Sequence, residues 1–371
     1  MPHAAPRPVT ATSLPDPSNA PEIKVALLLP LSGKAEGLGK AMLDAAMLGL
    51  FDKYDSADPH APIPRIQLIP RDTQGDAKIA ARVAKEALDD GAQMILGPLY
   101  SSSVDAVAPI AKQYNVTMLS FSNNAEVASE HSFLFGFMPA EQVRRVVGEA
   151  FKAGDRRIAA LLPANRYGNL LEEELKTYAT ITGIELVGIA RYQPDAADIG
   201  AYVQPLVGLT TDGRPLTIDA LLLGEGGERL EELARRLAQF RLSNKEVRYL
   251  GTGLWDNPSL RGTPSLIGSW FASSPPDGYQ NFIARFEATH DYTPPRLASL
   301  GYDGVALLAT LAAHGDMSPA ALTNPHGYAG PANGIFRFRK NGTIERGLSV
   351  IAFTEDGFEA ISPAPRLFYD E

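Results

Sequence analysis

The sequence predicts an α/β protein of two tandem lobes, each built around a mostly parallel central sheet. Its 371 residues exceed what one hydrophobic core usually serves. From Ile23 onward, short apolar runs alternate with helical stretches, which is the pattern of parallel strands joined by right-handed crossovers. The pattern begins again after Met138, which indicates a second unit of the same kind.

The first unit opens with the continuous apolar run Val25–Leu29, typical of a strand covered by helices on both faces. The run ends at Pro30, and a helix follows through Leu50. Asp76 is the predicted N-cap of the next helix, which Gly91 ends. Further strands are predicted at residues 66–69, 94–96 and 116–119.

The second unit repeats this pattern without a repeat of sequence. Pro139 opens its first helix, and Gly154 follows that helix. Its predicted strands cover residues 158–162, 184–189, 220–223 and 247–250. Each half is therefore predicted to be a Rossmann-like lobe.

The segment from about Gly268 has too few elements to enclose a third core. It contains a strand at 269–271, two helices, and alternating strands at 335–338 and 348–353, which we expect to be joined across the Asn341-Gly342 turn. These elements must complete the two lobes, so the chain must cross between them several times. We assign residues 1–22, rich in Pro, Ala and Ser, to a disordered tether. Residues 23–138 plus 274–331 are assigned to the first lobe, and 139–273 plus 332–371 to the second.

Composition excludes several classes of function. The formal charge of -9 and the lack of a basic stripe argue against a nucleic-acid partner. The absence of cysteine excludes disulfides and thiolate metal sites, and no apolar run approaches the roughly 18 residues of a membrane span. The six histidines lack zinc-site spacing, and no Gly-x-Ser-x-Gly elbow occurs. We therefore predict no catalytic residues, no metal and no cofactor.

Two alternatives stay open on the sequence alone. The turn Gly224–Gly227 follows a strand and opens a helix, which suits either a dinucleotide pyrophosphate or a tight turn at the edge of a cleft. Asp72 and Asp76 could hold a metal, although a strand-end acid and a helix cap explain them better.

Polar side chains follow the predicted strands at their carboxyl ends, where ligands of open parallel sheets bind. Hydroxyls, amides and free helix-start N–H groups at such ends favour a carboxylate or another anion, although serines also cap helices and a half-buried tyrosine can be structural. The candidate ligand-binding residues of this group are Tyr100, Ser101, Ser102, Ser122, Asn123, Asn124 and Tyr167.

Three stretches, Ile23–Gly33, Gly97–Ser103 and Tyr167-Gly168, resemble the Leu/Ile/Val-binding protein family of ABC transporter receptors, in order and spacing across residues 23 to about 360. The resemblance implies the type I periplasmic-binding fold, in which a three-segment hinge lets two lobes close on a ligand. It also implies that Ser101 and Ser102 meet a ligand carboxylate beside Ser122 and Asn124, with Tyr167 from the second lobe and Tyr302 near the hinge.

The resemblance fails at two positions. The family's amino-acid binders place an aromatic residue near Leu38 and an acid near Gly253, and neither is present here. A buried ammonium group needs a partner. Glu225 and Asp256 are the candidate substitutes, and Trp255 is a further candidate ligand contact.

Other stretches, among them Arg296–Asp303 and Gly334–Phe336, are also similar to penicillin-binding-protein activator lipoproteins. That resemblance implies an envelope protein that stimulates peptidoglycan synthases and attaches to the membrane through a lipid anchor outside this sequence. The sequence thus predicts an exported, periplasmic, non-enzymatic receptor for a small amino-acid-like or carboxylate ligand, serving an ABC permease, with the synthase activator as the alternative. A repressor of this fold needs a helix-turn-helix module, for which residues 1–22 are too short and proline-rich.

Overall fold

A computed structural model describes residues 22–56, 64–196, 198–208 and 217–368. Met1–Pro21, most of the predicted tether, lie outside the described residues. Within the described residues the strands form three sheets. Two of these sheets are the centres of the two lobes, and they confirm the predicted fold class.

The first lobe is built on five parallel strands in the order β2-β1-β3-β4-β5. The run Val25–Leu29 lies in its interior with no solvent exposure, as the unbroken apolar pattern predicts. Its elements are β1 (Glu22–Leu29), α1 (Glu36–Asp55), β2 (Arg65–Asp72), α2 (Ala77–Asp89), β3 (Met94–Leu96), α3 (Ser101–Gln113), β4 (Thr117–Ser120) and β5 (Ser132–Leu134).

The second lobe repeats that order as β7-β6-β8-β9-β10, again with parallel neighbours. Separate apolar clusters cover the two faces of its sheet. Its elements are α4 (Pro139–Lys152), β6 (Arg157–Pro163), α5 (Arg166–Thr182), β7 (Glu185–Tyr192), α6 (Gly200–Val203), β8 (Ala220–Leu223), α7 (Gly227–Ala238), β9 (Arg248–Gly251) and β10 (Trp270–Ser273).

The last part of the chain completes both lobes. Helices α8 and α9 pack against α1 in the first lobe, whereas β14 and β15 extend the second sheet in antiparallel fashion beside β10. These elements are α8 (Pro276–Glu287), α9 (Ala298–His314), α10 (Pro319–Leu322), β11 (Tyr328–Gly330), β12 (Gly334–Phe338), β13 (Ile344–Arg346), β14 (Ser349–Thr354) and β15 (Gly357–Ser362). In the described residues the chain therefore crosses between lobes after β5, after β10 and after β13.

The structure differs from the sequence-based division in the hairpin around Asn341-Gly342. That turn joins β12 to β13, and the two strands form a small antiparallel sheet with β11. Phe336, Phe338 and Ile344 pack into the core of the first lobe, although residues 332–371 are assigned to the second on sequence alone. The strand expected after the turn is β14, which pairs with β10 in the other lobe.

Candidate functional site

A cavity of about 550 Å³ lies between the two lobes, at the carboxyl ends of both parallel sheets. Leu99 and Tyr100 reach it after β3, and Phe121 and Asn123 after β4. Gly97 makes the turn after β3 possible, because its φ is +99° and a Cβ there would lie 2.3 Å from the Leu28 carbonyl oxygen. The two lobes therefore present their strand ends to one shared space.

The walls of this cavity are largely apolar. The first lobe contributes Leu38, Phe137, Tyr279 and Leu297, and the second contributes Leu254 at the exposed rim. Its volume is typical of sites for small molecules, which combine apolar walls with a few placed polar groups.

One ion pair, Arg296 with Asp256, joins the two lobes inside the cavity wall. Arg296 Nε donates to Asp256 Oδ2 at 3.0 Å, and Ser273 Oγ donates to the same oxygen at 2.7 Å. Both charged side chains are mostly buried, with 14% and 7% of their surfaces exposed. A buried pair of this kind holds only when its remaining polar atoms also find partners.

Arg296 is fixed from its own lobe as well. Its Nη1 donates to Asn333 Oδ1 at 2.7 Å and to Ser299 Oγ at 2.9 Å. The guanidinium group lies 3.9 Å from the ring centre of Tyr279 and 4.7 Å from that of Phe137. The aromatic faces stabilise the cation and hold its plane.

Each member of this pair has one polar atom to which the described residues provide no hydrogen bond. Arg296 Nη2 is buried and has no partner among the described residues. Both hydrogen bonds that Asp256 accepts from described residues end on Oδ2, which leaves Oδ1 for another donor. Asp256 Oδ1 can therefore accept from a ligand, whereas Arg296 Nη2 has almost no accessible surface and reaches a ligand only after neighbouring side chains move.

Tyr167 and Gln142 form the polar part of the second lobe's wall. Tyr167 Oη lies 2.6 Å from Thr252 Oγ1, and burial raises the pKa of Tyr167 well above its usual value, so the phenol stays neutral. Gln142 Oε1 accepts from the Gly253 N–H at 3.1 Å. Asn165 positions Tyr167, because its side chain caps α5 by accepting from the Gly168 N–H.

Four of the candidate residues line the cavity: Tyr100, Asn123, Tyr167 and Asp256. Their roles toward a ligand remain predictions. The structure places Ser101 at the cleft mouth, where its Oγ accepts from Arg166 Nη1 at 3.4 Å, and Ser102 on the exposed face of α3.

The other candidates have structural partners and lie outside the cavity wall. Ser122 Oγ accepts from the Asn124 N–H, and Asn124 Oδ1 accepts from the Glu126 N–H, so both residues shape the turn after β4. Glu225 accepts from the Tyr192 hydroxyl. These bonds satisfy side chains that the sequence assigns to the ligand.

Trp255 and Tyr302 also differ from expectation. Trp255 is fully buried among Phe271 and Phe353, and its Nε1 donates to the Glu225 carbonyl at 2.7 Å. Tyr302 faces α1, where its hydroxyl donates to Asp52 Oδ2 at 2.8 Å. Both are therefore packing residues rather than parts of the cavity wall.

Three further residues line the cavity that were not candidates on sequence alone: Gln142, Tyr279 and Arg296. The signal for Arg296 in the sequence is a single cation that follows Pro294-Pro295 and precedes an apolar helix. A charge buried at such a position needs a partner from a distant segment. Its partner Asp256 is 40 residues away in sequence and belongs to the other lobe. Nothing in the local pattern indicates that pairing.

Asp72 and Asp76 both take part in local hydrogen bonds, as expected of a strand-end acid and a helix cap. Asp72 accepts from the Leu31 N–H at 2.8 Å and from Ser32 Oγ at 2.6 Å, which ties the loop after β1. Asp76 caps α2 by accepting from the N–H groups of Lys78 and Ile79. In the described part of the chain, no three His, Cys, Asp or Glu side chains come together as a metal site.

Two α/β lobes that enclose a mostly apolar cavity at their strand ends define a cleft-type binding protein. The chain belongs to the periplasmic binding protein family, whose sequence model matches residues 22–357. The family implies an extracytoplasmic location. No helix in the described ranges is long and apolar enough to span a bilayer.

Solved structures share the fold at low sequence identity. A putative branched-chain amino acid ABC transporter protein from Rhodospirillum rubrum is 19% identical, with a TM-score of 0.78, over 92% of this chain and all of that one. A solute-binding protein of an ABC transporter from Rhodopseudomonas palustris, in complex with 3,4-dihydroxybenzoic acid, is 19% identical, with a TM-score of 0.68, over 92% of this chain and 96% of that one.

Curated relatives match over shorter lengths. An uncharacterized protein of Rickettsia prowazekii is 23% identical over 238 residues, 61% of this chain and 59% of that protein. The penicillin-binding protein activator LpoA of Photobacterium profundum is 27% identical over 150 residues, 40% of this chain and 23% of that protein. The matched region thus spans less than two thirds of either relative.

Proposed function

We propose that this protein is a periplasmic receptor that captures a small amino-acid-like ligand with an apolar body in the cleft between its lobes and delivers it to an ABC permease. The observation that carries the proposal is the apolar cavity whose wall contains one ion pair, Arg296 with Asp256, in which the described residues leave Asp256 Oδ1 and the buried Arg296 Nη2 without a hydrogen-bond partner.

The balance of charge in the cavity supports a zwitterion. Arg296 and Asp256 are the charged residues of the wall and neutralise each other. A ligand that brings both a carboxylate and an ammonium group keeps the cavity neutral, whereas a simple anion adds an unpaired buried charge. Asp256 therefore binds the ligand ammonium group, which is the role of the acid near Gly253 in the family's amino-acid binders.

The apolar walls support a ligand with an aliphatic or aromatic body. Phe121, Phe137 and Tyr279 give the cavity flat faces, and Leu38 replaces the aromatic residue expected at that position. One protein with the same fold is described as a putative branched-chain amino acid ABC transporter. Another is a solute-binding protein in complex with an aromatic acid. Those ligands define the two chemistries that a test must separate.

The test compares the affinity of each amino acid with that of its deaminated analogue. Calorimetric titration uses L-leucine against 4-methylpentanoate, and L-phenylalanine against 3-phenylpropanoate. At least one of the two amino acids should bind at least about tenfold more tightly than its deaminated analogue, because a charged hydrogen bond contributes about 1.5–3 kcal/mol. Asp256→Asn should remove that preference, and Glu228→Gln on the exposed side of α7 is the matched control. Equal affinity within both pairs contradicts a zwitterionic ligand.

A second candidate function is activation of a peptidoglycan synthase by contact, with the fold as a scaffold. The match to a penicillin-binding protein activator supports it. This candidate predicts that none of the four compounds, nor a panel of muropeptide fragments, raises the melting temperature, and that a purified penicillin-binding protein binds the chain. A ligand-dependent rise in melting temperature without synthase binding favours the receptor.

A further inference from the structure

A second cavity, of about 300 Å³, lies on the hinge side of the molecule and shares no wall residue with the cleft. Helix α4 of the second lobe contributes Arg144, Arg145 and Lys152 to its wall. The β12–β13 hairpin of the first lobe contributes Arg339 and Arg346. Both lobes therefore build this cavity beside the third crossing of the chain.

The walls of the hinge cavity carry an excess of positive charge, although the whole chain has a formal charge of -9. Five cationic side chains and the two acids Glu141 and Glu345 line it. Just outside the wall, Glu174 pairs with Arg144 at 2.7 Å and Glu149 with Arg145 at 2.8 Å. The wall itself carries five cations and two acids, and this charge attracts an anion, although Glu149 and Glu174 outside the wall and the buried Asp303 near Arg346 offset part of it.

One of these cations, Lys152, is poorly neutralised, and another, Arg346, is buried. Lys152 has its nearest described carboxylate oxygen, on Glu149, at 3.8 Å, and that oxygen already accepts from Arg145. Arg346 is only 6% exposed and donates to the carbonyl oxygens of Phe135 and Gly136, while its Nη1 has no partner among the described residues. A buried donor without an acceptor is costly, and Nη1 has almost no accessible surface, so a ligand oxygen that displaces neighbouring side chains to reach it stabilises the protein.

From these observations we infer that the hinge cavity binds a small organic anion, a carboxylate or a phosphomonoester, that is not the ligand of the cleft. Its oxygens are held by the cationic side chains of α4 and the hairpin. Because the two lobes supply these groups jointly, a bound anion favours the lobe arrangement seen here over a more open one. The hinge cavity is in this way an effector site for cleft closure.

Binding of citrate and of glycerol 3-phosphate, measured by calorimetry at constant ionic strength, tests the inference. We expect saturable binding of at least one of them, weakened about tenfold or more in the double variant Arg144→Gln/Lys152→Gln. Both side chains are at least half exposed, so their removal leaves the core intact, which a thermal melt checks. The control is Lys176→Gln, a similarly exposed lysine on α5 outside both cavities.

The outcomes separate clearly. Weakened binding in the double variant with unchanged binding in Lys176→Gln supports the site. No binding to the wild-type protein, or equal binding by the double variant and wild type, overturns it. None of these results depends on the amino acid titrations of the cleft, so the two proposals fail independently.

Discussion

At the scale of single residues, Arg296 makes an ion pair, hydrogen bonds and cation-π contacts in the wall of the cleft. It links the lobes through Asp256, reaches Asn333 and Ser299 within its own lobe, and stacks on Tyr279. A buried guanidinium with this many partners cannot be removed without leaving Asp256 as an uncompensated charge. The residue is therefore important for stability as well as for the proposed ligand.

Arg296→Gln should lower the free energy of unfolding by about 3–5 kcal/mol, because it leaves the buried carboxylate with Ser273 as its remaining described donor. Urea denaturation followed by circular dichroism measures the change. Arg285→Gln is the matched control: Arg285 pairs with Asp52 at 2.8 Å, but 43% of its surface is exposed. That variant should lose less than about 1 kcal/mol. Equal losses in the two variants contradict the importance of burial.

At the scale of elements, the first turn of α4 meets the β12–β13 hairpin across the lobe boundary. Glu141 lies at this contact, where Arg339 Nη1 donates to it at 3.4 Å and the Arg346 N–H at 3.2 Å, with Glu345 close by. Burial raises the pKa of Glu141 to about 7, since these partners only partly offset the loss of water. The hairpin that sequence assigns to the second lobe is thus what confines this carboxyl group.

This contact predicts a pH dependence of stability. The native state keeps the Glu141 proton where the unfolded chain releases it, so this group's contribution to stability falls as pH rises from about 4.5 to about 7 and is then constant. Glu141→Gln cannot lose a proton, so its stability relative to wild type should rise by up to about 3 kcal/mol between pH 4.5 and pH 8. Urea midpoints at both pH values measure this. A difference that does not change with pH contradicts the prediction.

At the scale of the whole molecule, an exposed ion pair joins the lobes at the cleft mouth. Arg166 Nη2, at the start of α5, lies 2.6 Å from Glu126 Oε2 in the turn after β4. The pair can form only while the two lobes are close together. With 54% and 81% of the side chains exposed, it biases closure weakly rather than locking it.

Glu126→Lys should shift the protein toward an open arrangement, because it replaces attraction across the cleft with repulsion. The open-to-closed ratio should rise by up to about fivefold, since an exposed pair contributes at most about 1 kcal/mol. Small-angle X-ray scattering without ligand should show a larger radius of gyration than for wild type. Glu130→Lys makes the same change of charge nearby at another exposed position. Identical scattering from the two variants contradicts a contribution of this ion pair to closure.

The sequence by itself determined the two lobes and the edge at which the site lies. Runs such as Val25–Leu29 and Ile158–Leu162 are apolar throughout, and only a strand covered on both faces buries every side chain of such a run. The alternation of strands and helices then places the loops that lead from a strand into a helix at the carboxyl ends of the strands. Tyr100, Asn123 and Tyr167 line the cavity because they follow those strand ends.

Only the tertiary structure decided which polar side chains are available to a ligand and to which lobe the β12–β13 hairpin belongs. Ser122, Asn124 and Glu225 bond to neighbouring groups, and local sequence does not show whether a polar side chain finds such a partner. Arg296 and Asp256 meet across the lobes because packing brings distant segments together. In the structure β12 packs Phe336 and Phe338 into the core of the first lobe, whereas β14 is buried on both faces of the second sheet, and this burial assigns each strand to its lobe.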